Sequence, residues 1–201
     1  MGGEHRELPT FEPAETIDPP PAPPCQGGEK ATMIEIAISP EEGWSGPTDW
    51  QALAERAVET ALRHSPYGGL IDAEALIEVS VRFTDDDEVQ GLNADYRGKD
   101  KPTNVLSFPM VQPDLLPALA NTDDGEVLLG DIVLASGVCT REAADKGVTV
   151  ETHATHLIVH GTLHLLGYDH LDEAEGDAME AVERAALAAI GIADPYAIED
   201  D

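Results

Sequence analysis

Three histidines within one short segment constrain this chain more than any other feature of its sequence. His160, His164 and His170 are spaced H-x-x-x-H-x-x-G-x-x-H, and the glycine of that pattern is Gly167. Residues four apart on a helix lie on the same face, so His160 and His164 can reach one ion. Gly167 can adopt the left-handed conformation that ends a helix, and the reversed chain can bring His170 beside the other two. The segment therefore predicts a metal site on a helix and the turn that follows it.

Two further histidines precede this segment at helical spacing. His156 lies four residues before His160, and His153 lies about one turn earlier. A site made of His156, His160 and His164 has to bridge about 12 Å of helix, whereas zinc holds its nitrogen ligands at about 2.0–2.1 Å. We therefore interpret His153 and His156 as helix-face residues or as supports for the ligands. Thr149 is predicted to cap the N-terminus of this helix.

The number of histidines indicates the kind of metal site. Three neutral imidazoles and one open position are typical of catalytic zinc, whereas structural zinc usually has four protein ligands. We expect one Zn²⁺ per chain. The spacing is also that of the metzincin peptidases, in which a catalytic glutamate follows the first histidine. Gly161 occupies that position here, and a glycine cannot act as the base that activates water.

Basic residues are few in this chain, and three of them are clustered. The formal net charge is −29, which argues against a broad nucleic-acid-binding surface. Arg97, Lys99 and Lys101 nevertheless fall within five residues, between a predicted helix and a predicted strand. A guanidinium group at such a connection can hold a phosphate through two parallel hydrogen bonds. The cluster is therefore a candidate site for an anionic substrate.

Apolar periodicity predicts strands first and helices last, which indicates one sheet with helices packed against it. Thr84 is expected to cap a short helix that runs through Leu92, and residues 109–125 are expected to form a long loop. The predicted strands cover residues 33–39, 76–83, 104–108 and 127–135, and the other helices cover residues 49–64, 137–146, about 150–166 and 172–190.

The N-terminal segment differs from the rest of the chain. Residues 1–32 are rich in proline and acidic residues, and we predict that they form a disordered extension to a folded domain at 33–201. The sequence has no secretory signal and no apolar run long enough to span a membrane. Its two cysteines, Cys25 and Cys139, do not suggest a disulfide framework, so we expect a reducing cytoplasm.

Three ordered motifs resemble those of a known family. They are segment 92–109, which contains Y-R-G-K-D-K-P-T-N-V-L-S-F-P, segment 129–133, which reads L-G-D-I-V, and the histidine segment 160–170. Together they resemble the YbeY family of bacterial metal-dependent endoribonucleases, over about residues 33–196. The resemblance implies that His160, His164 and His170 bind zinc and that Arg97 is the catalytic arginine. It also implies an α+β fold, in which a single mixed β-sheet is packed with helices and the zinc site lies on a helix and the turn following it.

The same resemblance implies a function. The expected activity is that of a single-strand-specific endoribonuclease in 16S rRNA 3′-end maturation and ribosome quality control. Expected partners are rRNA or other single-stranded RNA and the small ribosomal subunit with its proteins, without DNA or membrane. Lys99 and Lys101 are expected to bind substrate, and Asp169 to support a ligating imidazole. The general acid stays open between Asp169, Tyr168 and zinc-bound water.

Two alternatives remain open at the level of the sequence. The ligand spacing also suits a zinc peptidase-like hydrolase, although Gly161 replaces the required glutamate. The acidic composition also suits a non-enzymatic ribosome assembly factor, with a structural zinc and a surface that docks onto basic ribosomal proteins. Three ligands with an open position favour chemistry over a purely structural ion.

Overall fold

A mixed sheet forms the centre of the fold in this computed structural model, which describes residues 34–73, 76–119, 125–170 and 172–197. β1 pairs in parallel with β2 and β2 with β4, whereas β3 is antiparallel to β4. The predicted α+β fold with a single mixed sheet is therefore confirmed. The segment predicted as a disordered extension, residues 1–32, lies outside the described residues. The strands, in the spatial order β1-β2-β4-β3, are β1 (Ile34–Pro40), β2 (Leu76–Thr84), β3 (Val105–Pro109) and β4 (Glu126–Ala135).

Each predicted helix is present, with two differences. The helix expected to end near Leu92 continues to Arg97, and the segment expected to be a long loop contains one short helix. None of the helices in the described ranges combines the length and apolar character needed to cross a bilayer. The helices are α1 (Trp50–His64), α2 (Asp86–Arg97), α3 (Leu116–Leu119), α4 (Ser136–Asp145), α5 (Val150–Leu165) and α6 (Glu173–Ala189).

The histidine-bearing helix α5 lies in the middle of the core. Ala154, Ile158 and Leu163 are completely buried, as are most of the other apolar residues of this helix. It packs against α1, α4, α6 and strands β3 and β4. A helix that is apolar on nearly every side is stable only when it is enclosed in this way. The close packing fixes the position of any side chain that α5 presents to a cavity.

Helix α2 ends where the basic cluster begins. Its N-terminus is capped by Asp85, whose Oδ1 accepts a hydrogen bond from the Glu88 N–H at 2.9 Å. The prediction that Thr84 is the cap is wrong, because Thr84 is the last residue of β2 and is paired with Ala135 of β4. At the other end, Gly98 has a φ of 66°, which favours glycine and stops the helix directly after Arg97.

We predict that Asp85→Ala lowers the free energy of unfolding by about 1 kcal/mol, because the first turn of α2 loses its capping oxygen. Asp85→Asn keeps an acceptor at the same place and should retain most of that stability. Chemical denaturation of the two variants and the unmodified protein measures the difference. Equal stability of Asp85→Ala and the unmodified protein would contradict the capping role.

Candidate metal centre

The turn after α5 brings the third histidine towards the first two. Thr149 caps the helix, as predicted, by accepting a hydrogen bond from the Thr152 N–H at 3.1 Å. At the C-terminus, Gly167 has a φ of 83°, and its N–H donates to the His164 carbonyl at 3.0 Å. The Tyr168 N–H donates to the Leu163 carbonyl, also at 3.0 Å. This pair of bonds is the Schellman motif, which reverses the chain at a left-handed glycine.

The three predicted ligands lie together. One ring nitrogen from each of His160, His164 and His170 falls within 4.8 Å of the others. The Nε2 atoms of His160 and His164 are 3.1 Å apart. Two nitrogens bound to one tetrahedral ion at about 2.0–2.1 Å are separated by about 3.3 Å, so the observed spacing fits a shared metal. These three histidines could therefore bind one metal ion.

The hydrogen bonds of the two helical histidines direct their lone pairs at each other. The Nδ1 of His164 lies 2.9 Å from the Tyr168 carbonyl, which can only accept, so this nitrogen carries the proton. The Nδ1 of His160 lies 2.9 Å from Oε1 of Glu183 and donates to it in the same way. In their neutral forms, both rings then present an unprotonated Nε2 to the same point. The two lone pairs repel unless a cation lies between them, so this donor set fits a metal ion.

The environment of His164 favours the form that a metal requires. Burial, reinforced by the nearby imidazole of His160, lowers the pKa of His164 to about 4. Its hydrogen bond to the Tyr168 carbonyl acts in the opposite direction but is the weaker influence. His164 is therefore neutral near pH 7, and no proton has to be removed from it before a metal binds.

Glu183 on α6 is a residue of this site that the sequence reasoning missed. Its side chain is fully buried, and the same Oε1 that accepts from His160 lies 3.6 Å from Nε2 of His156. Burial by itself raises the pKa of Glu183, but the neighbouring imidazoles of His156 and His160 outweigh it and lower the pKa to about 2. A signal for it existed, since Glu183 lies on the apolar face of α6 with Met179 and Leu187.

The histidines open onto a cavity of about 480 Å³. Arg97, although distant in sequence, lines it together with the three histidines. Lys99 and Lys101 are exposed nearby but do not line it. The remaining lining residues come from β3, the segments directly before and after it, and the turn after α5, and they are Thr103, Asn104, Val105, Ser107, Pro109, Pro113, Gly167, Tyr168 and Asp169.

The other sequence-predicted residues lie around this cavity. Asp169 lines it, and its Oδ1 accepts from the backbone N–H of His170 at 2.8 Å. The expected support of an imidazole by Asp169 stays a prediction, although this bond does hold the backbone of His170. His153 pairs with Glu142 of α4 at 2.7 Å and, like His156, does not line the cavity.

Gly161 has a steric reason for being glycine. A Cβ atom at this position would lie 3.0 Å from Cγ2 of Ile132 and 3.1 Å from Oγ of Ser107. Ordinary van der Waals contacts begin at about 3.4 Å, so the space between α5 and the sheet is already filled. The position that holds the catalytic glutamate in metzincins is therefore a close contact between helix and sheet in this fold.

Comparisons with known proteins cover the same part of the chain. The model of the family described as "Endoribonuclease YbeY" matches residues 39–191, which include Arg97 and the three histidines. The protein named "Endoribonuclease YbeY" from Rhizorhabdus wittichii is 63% identical over 169 residues, which are 84% of this chain and 100% of that protein. The protein of the same name from Sphingopyxis alaskensis is 58% identical over 84% of this chain and 100% of its own length. That from Novosphingobium aromaticivorans is 54% identical over 85% and 99%.

We predict that the metal-free protein binds one Zn²⁺ or Co²⁺ ion per chain and that His164→Ala lowers the affinity by at least about 100-fold, because one of three ligands is lost. Titration against a competing chelator measures the affinity. His64→Ala is the matched control, because His64 is exposed on α1 and does not line the cavity. Unchanged metal affinity of His164→Ala would show that the ion binds elsewhere.

We predict that Gly161→Glu lowers the free energy of unfolding by more than about 3 kcal/mol and does not create peptidase activity, because its Cβ alone would press on Ile132 and Ser107 and the carboxylate would add further bulk and charge at a buried position. Gly91→Glu is the matched control, since Gly91 is also helical and a Cβ there meets no atom within 4 Å. That control should be neutral or slightly stabilising. Denaturation curves for both variants test the difference, and equal effects would exclude the steric explanation.

Proposed function

We propose that this chain, which belongs to the YbeY family, is a zinc-dependent, single-strand-specific endoribonuclease of the cytoplasm. Its role is 16S rRNA 3′-end maturation and ribosome quality control, with rRNA and the small ribosomal subunit as partners. The observation that carries the proposal is the pair of opposed imidazole nitrogens, 3.1 Å apart, beside a cavity that also contains Arg97. The names of the relatives support the choice of RNA as substrate.

The histidines would hold zinc through three nitrogens and leave one coordination position free. When bound, zinc supplies Lewis acidity towards a phosphoryl oxygen or a water molecule. The protein's own contribution is to keep His164 neutral and to fix the orientation of the His160 and His164 rings. His164 is held by the turn through the Tyr168 carbonyl, and His160 is held by Glu183.

Arg97 is suited to hold the scissile phosphate. It is the last residue of α2, its side chain is exposed, and it makes no ion pair with another described residue. A guanidinium group that is not already paired can give two parallel hydrogen bonds to phosphate oxygens and stabilise the charge that develops on them during cleavage. Lys99 and Lys101 are exposed and lie outside the cavity, where they would contact neighbouring phosphates of the strand.

Two cavity residues remain candidates for protonating the leaving oxygen. Burial raises the pKa of Tyr168, so its hydroxyl stays protonated near pH 7 and can donate. Asp169 also lines the cavity, and one of its carboxylate oxygens accepts from the His170 N–H, so it is the second candidate. Comparison of Tyr168→Phe and Asp169→Asn in the assay described below distinguishes them.

The charge distribution of the protein favours single-stranded RNA over duplex RNA as the substrate, with partner proteins that help to bind it. Duplex RNA is recognised through many phosphate contacts across its grooves, and a chain with a net charge of −29 lacks the basic surface for them. A single strand would need fewer phosphate contacts, which Arg97 in the cavity and Lys99 and Lys101 outside it could supply. Elsewhere the acidic surface complements basic ribosomal proteins, which would supply the remaining affinity.

Neither alternative function gains support from the site. A peptidase of the metzincin type needs a glutamate at position 161, which is glycine here and where even a Cβ would be in tight contact with Ile132 and Ser107. A purely structural zinc usually has a fourth protein ligand, whereas the three histidines face an open cavity.

We predict that Arg97→Ala lowers the rate of cleavage of a single-stranded RNA by about 10²–10³-fold, because the charge on the phosphate loses its partner, while the metal content is unchanged. Arg97→Glu should remove activity completely. Zinc-loaded proteins are compared on an RNA that carries the 16S 3′ end, and removal of the metal by a chelator should abolish cleavage by the unmodified protein.

Arg63→Ala is the control for that experiment, since Arg63 is exposed on α1 and pairs only with Glu59 among the described residues. It should cleave at the unmodified rate. Cleavage by Arg97→Ala at the same rate would remove Arg97 from the mechanism, and loss of metal from that variant would make its role structural. Absence of any metal-dependent RNA cleavage by the unmodified protein would contradict the proposed function itself.

A further inference from the structure

The two helical ligands are held in different ways. His164 is anchored locally, because the carbonyl that accepts from its Nδ1 belongs to Tyr168, four residues later. His160 is anchored by Glu183, which is 23 residues later and lies on another helix. The direction of the His160 ring therefore depends on how α6 packs against α5.

Glu183 is in turn held by the segment after α6. Its Oε2 accepts a hydrogen bond from the hydroxyl of Tyr196, while its Oε1 accepts from His160. Both carboxylate oxygens of this fully buried side chain are thus engaged. If the Tyr196 hydroxyl were lost, one oxygen of a buried charge would lose its partner, and such a group is costly in a protein interior.

The position of Tyr196 is fixed by contacts of its ring and of its backbone. Its ring packs edge-on against the ring of His156, with centroids 5.8 Å apart, and the guanidinium of Arg184 lies 5.2 Å from its centroid. Asp194 accepts from the Tyr196 N–H at 2.9 Å and pairs with Arg184 at 3.4 Å. These contacts connect the end of the described chain to α6 and direct the Tyr196 hydroxyl inwards.

We infer that Glu183 and Tyr196 are positioning residues of the metal centre, so that the segment after α6 sets the metal affinity although it contributes no ligand. A carboxylate that accepts from a ligating imidazole fixes the ring and makes its other nitrogen a better donor. Tyr196 acts one step further away, by keeping that carboxylate in place. The inference rests on the proposed binding of a metal by His160, His164 and His170.

Glu183→Ala should lower the affinity for Zn²⁺ by about 10–100-fold, the range typical when a carboxylate behind a metal ligand is removed. Tyr196→Phe should lower it by about 5-fold, which corresponds to the loss of one hydrogen bond. Deletion of residues 195–201 should have at least the effect of Tyr196→Phe. Zn²⁺ affinities of the full-length, metal-stripped proteins are measured by chelator competition, and Co²⁺ absorption spectra report the geometry of the bound ion.

Two matched controls separate positioning from general packing. Glu142→Ala removes the same kind of histidine–carboxylate pair, but from His153, which is not a ligand. Deletion of residues 198–201 shortens the chain but leaves Tyr196 in place. Both should bind Zn²⁺ within about 2-fold of the unmodified protein, and circular dichroism of the metal-free proteins checks that each variant is folded.

The outcomes are distinct. Tight Zn²⁺ binding by the unmodified protein together with unchanged affinity in Glu183→Ala and Tyr196→Phe overturns the inference and leaves the proposed function standing. An equal loss in Glu142→Ala and Glu183→Ala also overturns it, because the effect would then arise from helix packing. Should Glu183→Ala fail to fold, Tyr196→Phe and the two deletions still decide the question. Failure of the unmodified protein to bind a metal contradicts the proposed function instead.

Discussion

The opposed imidazole nitrogens of His160 and His164 are the constraint on which the rest of the site depends. Their Nδ1 atoms are engaged by a carbonyl and a carboxylate, so each ring presents a lone pair to the other across 3.1 Å. Neutral rings in this arrangement repel each other, and the energy is recovered only when a cation lies between them. The fold therefore maintains an arrangement that a bound metal stabilises.

The two imidazole rings keep this arrangement only if helix α5 is held in position by its packing. α5 is enclosed by the sheet on one side and by α1, α4 and α6 on the others, and its apolar residues are almost all buried. Even the absence of a side chain at Gly161 contributes, because it lets the helix approach Ile132 and Ser107 closely. The same close approach keeps the ligands next to β3, whose residues form part of the cavity wall.

The helix ends and strands that depend only on residues adjacent in the sequence agree with the prediction. Thr149 as the cap and Gly167 as the stop of α5 follow from local backbone chemistry, and both are observed. The strands follow from alternation of apolar residues. The cap of α2 was assigned to the wrong residue because Thr84 and Asp85 are both suitable side chains. Only the pairing of Thr84 with Ala135 across the sheet decides that the strand continues through it.

By itself, the sequence determined which histidines can share an ion and identified Arg97 as a candidate partner for a phosphate. A spacing of four residues puts His160 and His164 on the same face of a helix. Arg97 stands out because the chain has few other basic residues. Only the tertiary structure decided that Arg97 lines the cavity while Lys99 and Lys101 do not, and that Glu183 and Tyr196 lie behind His160. The physical reason is that a buried polar group is satisfied by whichever element packs against it, and that element can come from any part of the chain.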